Sequence, residues 1–218
     1  MKMSASDRHK LDQTDDALFY QLPRFVTHVD QGFIDQLTQL YRQYLRSGMR
    51  VLDLMSSWVS HLPAEMTFDQ VCGHGLNQEE LAKNPRLDHY FVQNLNQTLE
   101  LPLEDESFDA VLIAVSVQYL QYPEAIFKEI QRVLCPGGVV IVSFSNRMFF
   151  QKAIQIWREA RDGDRLQLVQ NYINLVPGFR EPIVYKNPGA SFRLPWFPEP
   201  DPFYGVVALK SSSLPEPA

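Results

Sequence analysis

Phe108-Asp-Ala-Val-Leu-Ile-Ala-Val-Ser-Val117 and Val139-Val-Ile-Val-Ser-Phe144, joined by Pro123-Glu-Ala-Ile-Phe-Lys-Glu-Ile-Gln-Arg-Val-Leu134 and the turn Pro136-Gly137-Gly138, decide the architecture. The first run is too continuously apolar for a sheet wetted on one face, which marks a buried parallel strand. Between the runs, Ile126, Phe127, Ile130, Val133 and Leu134 recur at helical spacing, so an amphipathic helix returns the chain to a second strand. A strand, a helix and a strand in this order imply a right-handed crossover in a parallel sheet.

The same alternation extends toward the N-terminus. Phe33, Ile34, Leu37, Leu40, Tyr41, Tyr44 and Leu45 mark one face of a helix that ends near Gly48, and a first strand follows at Arg50–Met55. Residues 56–62 read as a loop passing into a short helix, and Phe68–Cys72 as a second strand. Asn77–Asn84 reads as a helix with Asn77 as its N-cap and Glu80 completing a capping box, and Tyr90–Gln93 as a third strand. Beyond Arg147, residues 149–161 and 166–173 read as helical. Glu181–Tyr185 and Phe203–Leu209 have strand character amid prolines, which suits a hairpin at the sheet edge. The expected fold is α/β: a Rossmann-like, doubly wound, seven-stranded and mostly parallel sheet ending in an antiparallel hairpin. Residues 1–16 are polar and expected to be flexible, 17–210 form one domain, and 211–218 form a loose tail.

Composition excludes several function classes. The chain has 218 residues, 45% hydrophobic and 21% charged, which is the profile of a folded domain. With 20 Lys+Arg against 26 Asp+Glu, general binding to nucleic acid is not expected. Cys72 and Cys135 build neither a disulfide framework nor a metal site, so the expected setting is the reducing cytoplasm and no metal is expected. No apolar run reaches the ~20 residues of a membrane span. Gly-x-Ser-x-Gly, P-loop and dinucleotide fingerprints are absent, which argues against serine hydrolysis, nucleotide hydrolysis and hydride transfer. Only 10 residues are glycine, and the deficit falls at a decisive loop.

Two segments carry a resemblance. Leu101-Pro-Leu-Glu-Asp-Glu-Ser-Phe-Asp-Ala-Val111 and Phe127-Lys-Glu-Ile-Gln-Arg-Val-Leu-Cys-Pro-Gly-Gly138 resemble the LPF-x-D-x-SFD-x-V and E-x-x-R-V-L-x-P-G-G segments of class I S-adenosylmethionine-dependent methyltransferases of the type 11 group. The likeness spans roughly residues 33–150. It implies S-adenosylmethionine as cofactor, a small-molecule methyl acceptor, and a site at the carboxyl ends of the strands.

At that site the chain departs from the family pattern. The resemblance places an acidic residue and a Gly-x-Gly-x-Gly loop after the first strand. Here Asp53 is followed by Met55, Ser57 and Val59 where glycines are expected, with the hydroxyls of Ser56 and Ser57 as substitute donors. Gly75 stands where the second strand usually ends in the acid that reads the ribose diol. Asn77 either reaches the ribose or only caps its helix. Asn94, beside Leu95, either faces the adenine amino group or makes a turn. Val115 and Ser116 close the cofactor-binding set at the fourth strand.

Around the acceptor the candidates are Tyr20, Arg24, His28, Trp58, Tyr119, Asn146 and Arg147. Arg24 is either a carboxylate anchor or a surface ion-pair partner. Trp58 either packs or stacks on a flat ligand, Tyr119 lines the pocket or packs, and Arg147 lines it or faces solvent. His61 is the candidate general base, with a helix-end histidine as the alternative. Three functions follow: a methyltransferase acting on a small molecule, a non-catalytic binding or regulatory protein that keeps the scaffold, or a protein or nucleic-acid methyltransferase, which the acidic balance disfavours. The substituted glycines and the missing acid favour the second; the retained motifs favour the first. The acceptor and the oligomeric state are not legible from the sequence.

Overall fold

A computed structural model describes residues 3–187 and 200–212. Its centre is a seven-stranded sheet in the order β3-β2-β1-β4-β5-β7-β6. The strands are β1 Arg50–Asp53, β2 Gln70–Gly75, β3 His89–Val92, β4 Phe108–Ala114, β5 Leu134–Phe144, β6 Ile183–Asn187 and β7 Phe203–Leu209. β1 to β5 pair in parallel, while β7 runs antiparallel between β5 and β6. The expected sheet and its antiparallel terminal pair are both present. The reversal of strand order at β1 and β4 opens a crevice at their carboxyl ends, where ligands of such sheets bind.

Alternate residues of the central strands go to opposite faces, and each face is covered. Ala110 and Leu112 of β4 pack with Phe33, Leu37, Leu40 and Tyr41 of α2 (Gln31–Tyr44). Val111 and Ile113 face the other layer, with Ile126, Phe127, Ile130 and Val133 of α4 (Pro123–Val133). Burying each of the larger aliphatic and phenylalanine side chains stabilises the fold by roughly 1.5–3 kcal/mol, so these two stripes fix the register of helix on sheet. α6 (Asp162–Asn174) extends the α4 layer, contributing Leu166, Val169, Tyr172 and Ile173.

Several local expectations are corrected. No helix forms over residues 56–62; the chain runs irregularly from β1 to β2. There the polar side chains reach sideways instead of leaving the backbone to pair with itself: Ser57 Oγ donates to Glu80 and Trp58 Nε1 donates to the Val26 carbonyl. His61 sits at φ 51°, which no helix accommodates. Residues 149–161 contain only the short α5 (Gln155–Glu159), because 149–154 turn to bury Lys152. The fifth strand already begins at Leu134, pairing through the Pro-Gly-Gly turn with a register irregularity opposite Phe108–Ala110. β6 lies two residues beyond the expected start, and 213–218 of the expected tail lie outside the described residues.

The N-terminal stretch, read as flexible, is docked. Met3 and Lys10 are buried, Asp7 and Gln151 contribute backbone hydrogen bonds, and α1 (Asp16–Phe19) follows directly. Lys10 Nζ lies 2.6 Å from Asp16, and fully buried Lys152 reaches Asp12 at 3.1 Å and Asp16 at 3.3 Å. Lys152 also donates to the Thr14 carbonyl at 2.7 Å. These charges balance one another in a dry setting, where removing one partner strands the rest.

Candidate functional site

A cavity of about 380 Å³ opens at the carboxyl ends of β1, β2 and β4, roofed by residues 16–29. That volume lies within the ~300–1,000 Å³ of small-molecule sites. Its floor is the turn that leaves β1. Met55 there takes φ 59°, the left-handed conformation that the missing glycine would have supplied. The residue thus keeps the turn at a strain of about 1–2 kcal/mol. The bulky bend therefore does not fill the hollow.

From Met55 the chain crosses the end of β2. Ser56 N–H donates to the His74 carbonyl at 2.6 Å. The Ser56 carbonyl passes so close to Gly75 that a Cβ there would lie 2.6 Å from it. This explains the absent acid: at this position only glycine lets the backbone through. His74 fastens the crossing. Its Nδ1 accepts from Met55 N–H at 3.1 Å and its Nε2 donates to the Gln93 carbonyl at 2.9 Å, which assigns the neutral tautomer. Burial pushes the ring's pKa down to about 4, so it stays uncharged.

Three carboxylates line the cavity. Asp53, at the end of β1, is buried and accepts from Ser56 Oγ at 2.6 Å. Burial pushes its carboxyl up to about 6, against the opposing hydrogen bonds of Ser56 and Ser60. Glu80, in α3 (Gln78–Lys83), accepts from Arg24 N–H at 2.6 Å and Ser57 Oγ at 2.5 Å. Asn77 does cap α3, accepting from Glu80 N–H at 3.0 Å, but the Glu80 carboxylate turns into the cavity instead of closing the capping box. Asp16 is the third, held by Lys10 and by Asn96 Nδ2 at 2.8 Å.

The roof is sewn to the rim by side-chain amides. Asn77 Nδ2 donates to the Tyr20 and Gln21 carbonyls, and Asn94 Nδ2 donates to Asp15. Within the roof, the Arg24 guanidinium lies 4.6 Å from the Phe19 ring, 5.4 Å from Phe149 and 5.7 Å from Tyr20. Its Nη2 donates to the Phe19 carbonyl, while its buried Nη1 has no hydrogen-bond acceptor. His28 packs edge-on to Phe149 at 5.2 Å. Burial lowers the pKa of His28, which Arg24 assists and Glu80 opposes, and burial alone lowers that of His61. Both imidazoles are therefore neutral bases near pH 7.

All the expected site residues except Asn146 line this one cavity. Asn146 is exposed outside it. Arg147 lies at the rim, and its guanidinium is spent on Asp201 at 2.6 Å. Tyr119 is buried, its hydroxyl accepting from Phe149 N–H at 2.8 Å. Val115 and Ser116 form the wall beyond β4, with Val115 at φ 54° and the buried Ser116 hydroxyl unpartnered. Sequence reading missed Asp16, Glu80 and Phe149 as cavity residues. Glu80 was visible as an acid in the first turn of α3; nothing in the local pattern around Asp16 or Phe149 pointed to a roof. Among the described residues no cluster of His, Cys, Asp and Glu is arranged for a metal ion, and no helix is long and apolar enough to cross a membrane.

The sheet order, with its antiparallel terminal pair, is that of the Rossmann-like methyltransferase fold. The family model described as "Methyltransferase domain", of the type 11 group, matches residues 59–142 of the chain. The matched stretch begins beyond Asp53–Trp58, so most of the altered β1 turn lies outside it.

The solved structures that resemble it share the fold at low identity. A [4+2]-cyclase, SpnF, superposes with a TM-score of 0.58 at 17% identity, covering 82% of each chain. Phosphoethanolamine N-methyltransferase 2 of Haemonchus contortus, in complex with S-adenosylhomocysteine, gives 0.59 at 17% over 85% of this chain and 54% of its own. A possible histamine N-methyltransferase of Thermotoga maritima gives 0.56 at 19% over 82% and 89%. No curated protein matches in sequence.

Proposed function

We propose that the chain binds S-adenosylmethionine in this cavity and transfers its methyl group to a small-molecule acceptor. The observation that carries the reading is the open hollow beneath the roof, kept by Met55 in the left-handed turn. The donor set also suits a zwitterionic, cationic ligand: Asp53 and Glu80 offer acceptors to positive groups and hydroxyls, and the orphan Arg24 Nη1 offers a donor to a carboxylate. Among the similar structures are a phosphoethanolamine N-methyltransferase and a possible histamine N-methyltransferase, which supports a small-molecule acceptor.

The bound cofactor supplies an electrophilic methyl on a sulfonium, whose departure needs no acid. The chain's own part is positioning and water exclusion. Asp53, Ser56, Ser57, Gly75, Asn77, Asn94, Leu95, Val115 and Ser116 are the residues we assign to cofactor binding, with Met55 shaping the floor. Tyr20, Arg24, His28, Trp58 and Tyr119 face the acceptor, Arg147 stands at the rim, and Asn146 has no place in this assignment. His61, neutral and cavity-lining, is the base for an acceptor that must lose a proton.

A second reading, a binding protein that no longer transfers methyl groups, draws on the amides of Asn77 and Asn94, which are spent on the roof. Calorimetry with S-adenosylmethionine and S-adenosylhomocysteine tests the cofactor. Micromolar binding is expected; no heat at millimolar ligand overturns it. Methyl transfer from labelled cofactor across amine, phenol and carboxylic acid acceptors separates the readings, since binding without turnover supports the second.

A further inference from the structure

We propose that Glu80, in the first turn of the helix that follows β2, is the residue that reads the ribose diol of the cofactor. The inference rests on the cofactor reading above and assigns the role left vacant at Gly75. An acid at Gly75 is sterically excluded, because its Cβ would stand 2.6 Å from the Ser56 carbonyl. The obstruction is backbone, held by the Ser56–His74 hydrogen bond, so admitting a side chain would require that crossing to shift.

The same crossing carries Ser57 to Glu80. Glu80 is 7% exposed and lines the cavity. Its partners, Arg24 N–H on one oxygen and Ser57 Oγ on the other, fix its plane while leaving each oxygen a further lone pair. Among the described residues no lysine or arginine side chain forms an ion pair with it. A buried carboxylate with open acceptor sites and no cation is suited to two vicinal hydroxyls, which donate to both oxygens. Asp53 is less suited, since burial raises its pKa and Ser56 takes one oxygen. Asp16 is already held by Lys10, Lys152 and Asn96.

The test is calorimetry of the full chain with S-adenosylhomocysteine and with its 2′-deoxyribose analogue. Glu80→Gln is expected to weaken S-adenosylhomocysteine by about tenfold or more, and the deoxy analogue by less than about threefold. Glu80→Asp, which keeps the charge but withdraws it by one methylene, should show the same ribose-dependent loss. Thermal unfolding confirms that both variants are folded. Equal weakening of the two ligands overturns the assignment and leaves Glu80 a structural role, with the cofactor reading intact. No binding of S-adenosylhomocysteine to the wild-type chain overturns both.

Discussion

The Ser56 carbonyl passes 2.6 Å from where a side chain on Gly75 would begin. This contact exchanges one feature of the methyltransferase pattern for another: a backbone crossing over β2 in place of an acid at its end. Restoring the acid should therefore harm the protein. Gly75→Asp is expected to cost about 1–3 kcal/mol from overpacking and to bring no gain in cofactor affinity. Urea unfolding together with calorimetry measures both effects. A stable variant with tighter binding would show that the crossing yields.

Met55 makes the opposite prediction. Replacement by glycine relieves a left-handed strain of about 1–2 kcal/mol while losing part of a half-buried side chain, so stability should stay within about 1 kcal/mol of wild type. Met55→Val keeps an apolar residue but places a β-branched one at positive φ, and is expected to cost about 2 kcal/mol. Denaturant midpoints of the two variants check the contrast.

Asp53 and His74 titrate against each other. The folded-state pKa of Asp53, about 6, is above its unfolded value, so the native state binds the extra proton and Asp53 lowers stability as pH rises from about 4 to 6. His74, at about 4, is below its unfolded value, so it raises stability as pH climbs from about 4 to 6.5. The two contributions oppose each other, and the lowered His28 and His61 add to the rise. Relative to wild type, Asp53→Asn should make stability grow more steeply with pH in this window, and His74→Gln less steeply. Unfolding at half-unit pH steps resolves the signs.

Lys152 tests the roof. Lys152→Met removes the cation between Asp12 and Asp16 and leaves Lys10 as the remaining buried cation beside Asp16. The loss is expected to be about 3–5 kcal/mol, concentrated as faster amide exchange at residues 9–20. Uniform protection in the variant would count against this anchoring role.

The sheet was legible in the sequence because continuous apolar strands and helices with a single buried stripe each admit one placement. Val111 and Ile113 could only face α4 once Ala110 and Leu112 faced α2. The candidate site was legible at Asp53 and Ser57, whose places follow from the strand ends. Its novelties were not. Met55 adopting a glycine's conformation is a tertiary effect, imposed by the His74 and Ser56 bonds and unmarked by any propensity. The Glu80 carboxylate satisfied a local capping pattern on paper but was drawn away by partners far along the chain, Arg24 among them. Polar composition at residues 1–16 suggested fraying, yet its charges have counterparts at Lys152 and Glu124.

The anchoring of residues 7–16 on 149–158 has a consequence for how the chain acquires its shape during synthesis. Asp7 bonds to Ile156 and Thr14 to Lys152, so residues 7–16, once synthesised, wait for partners made roughly 140 residues later. The strands β1 to β5 are complete before those partners emerge. The ceiling of the cavity is therefore laid over parallel walls that already stand.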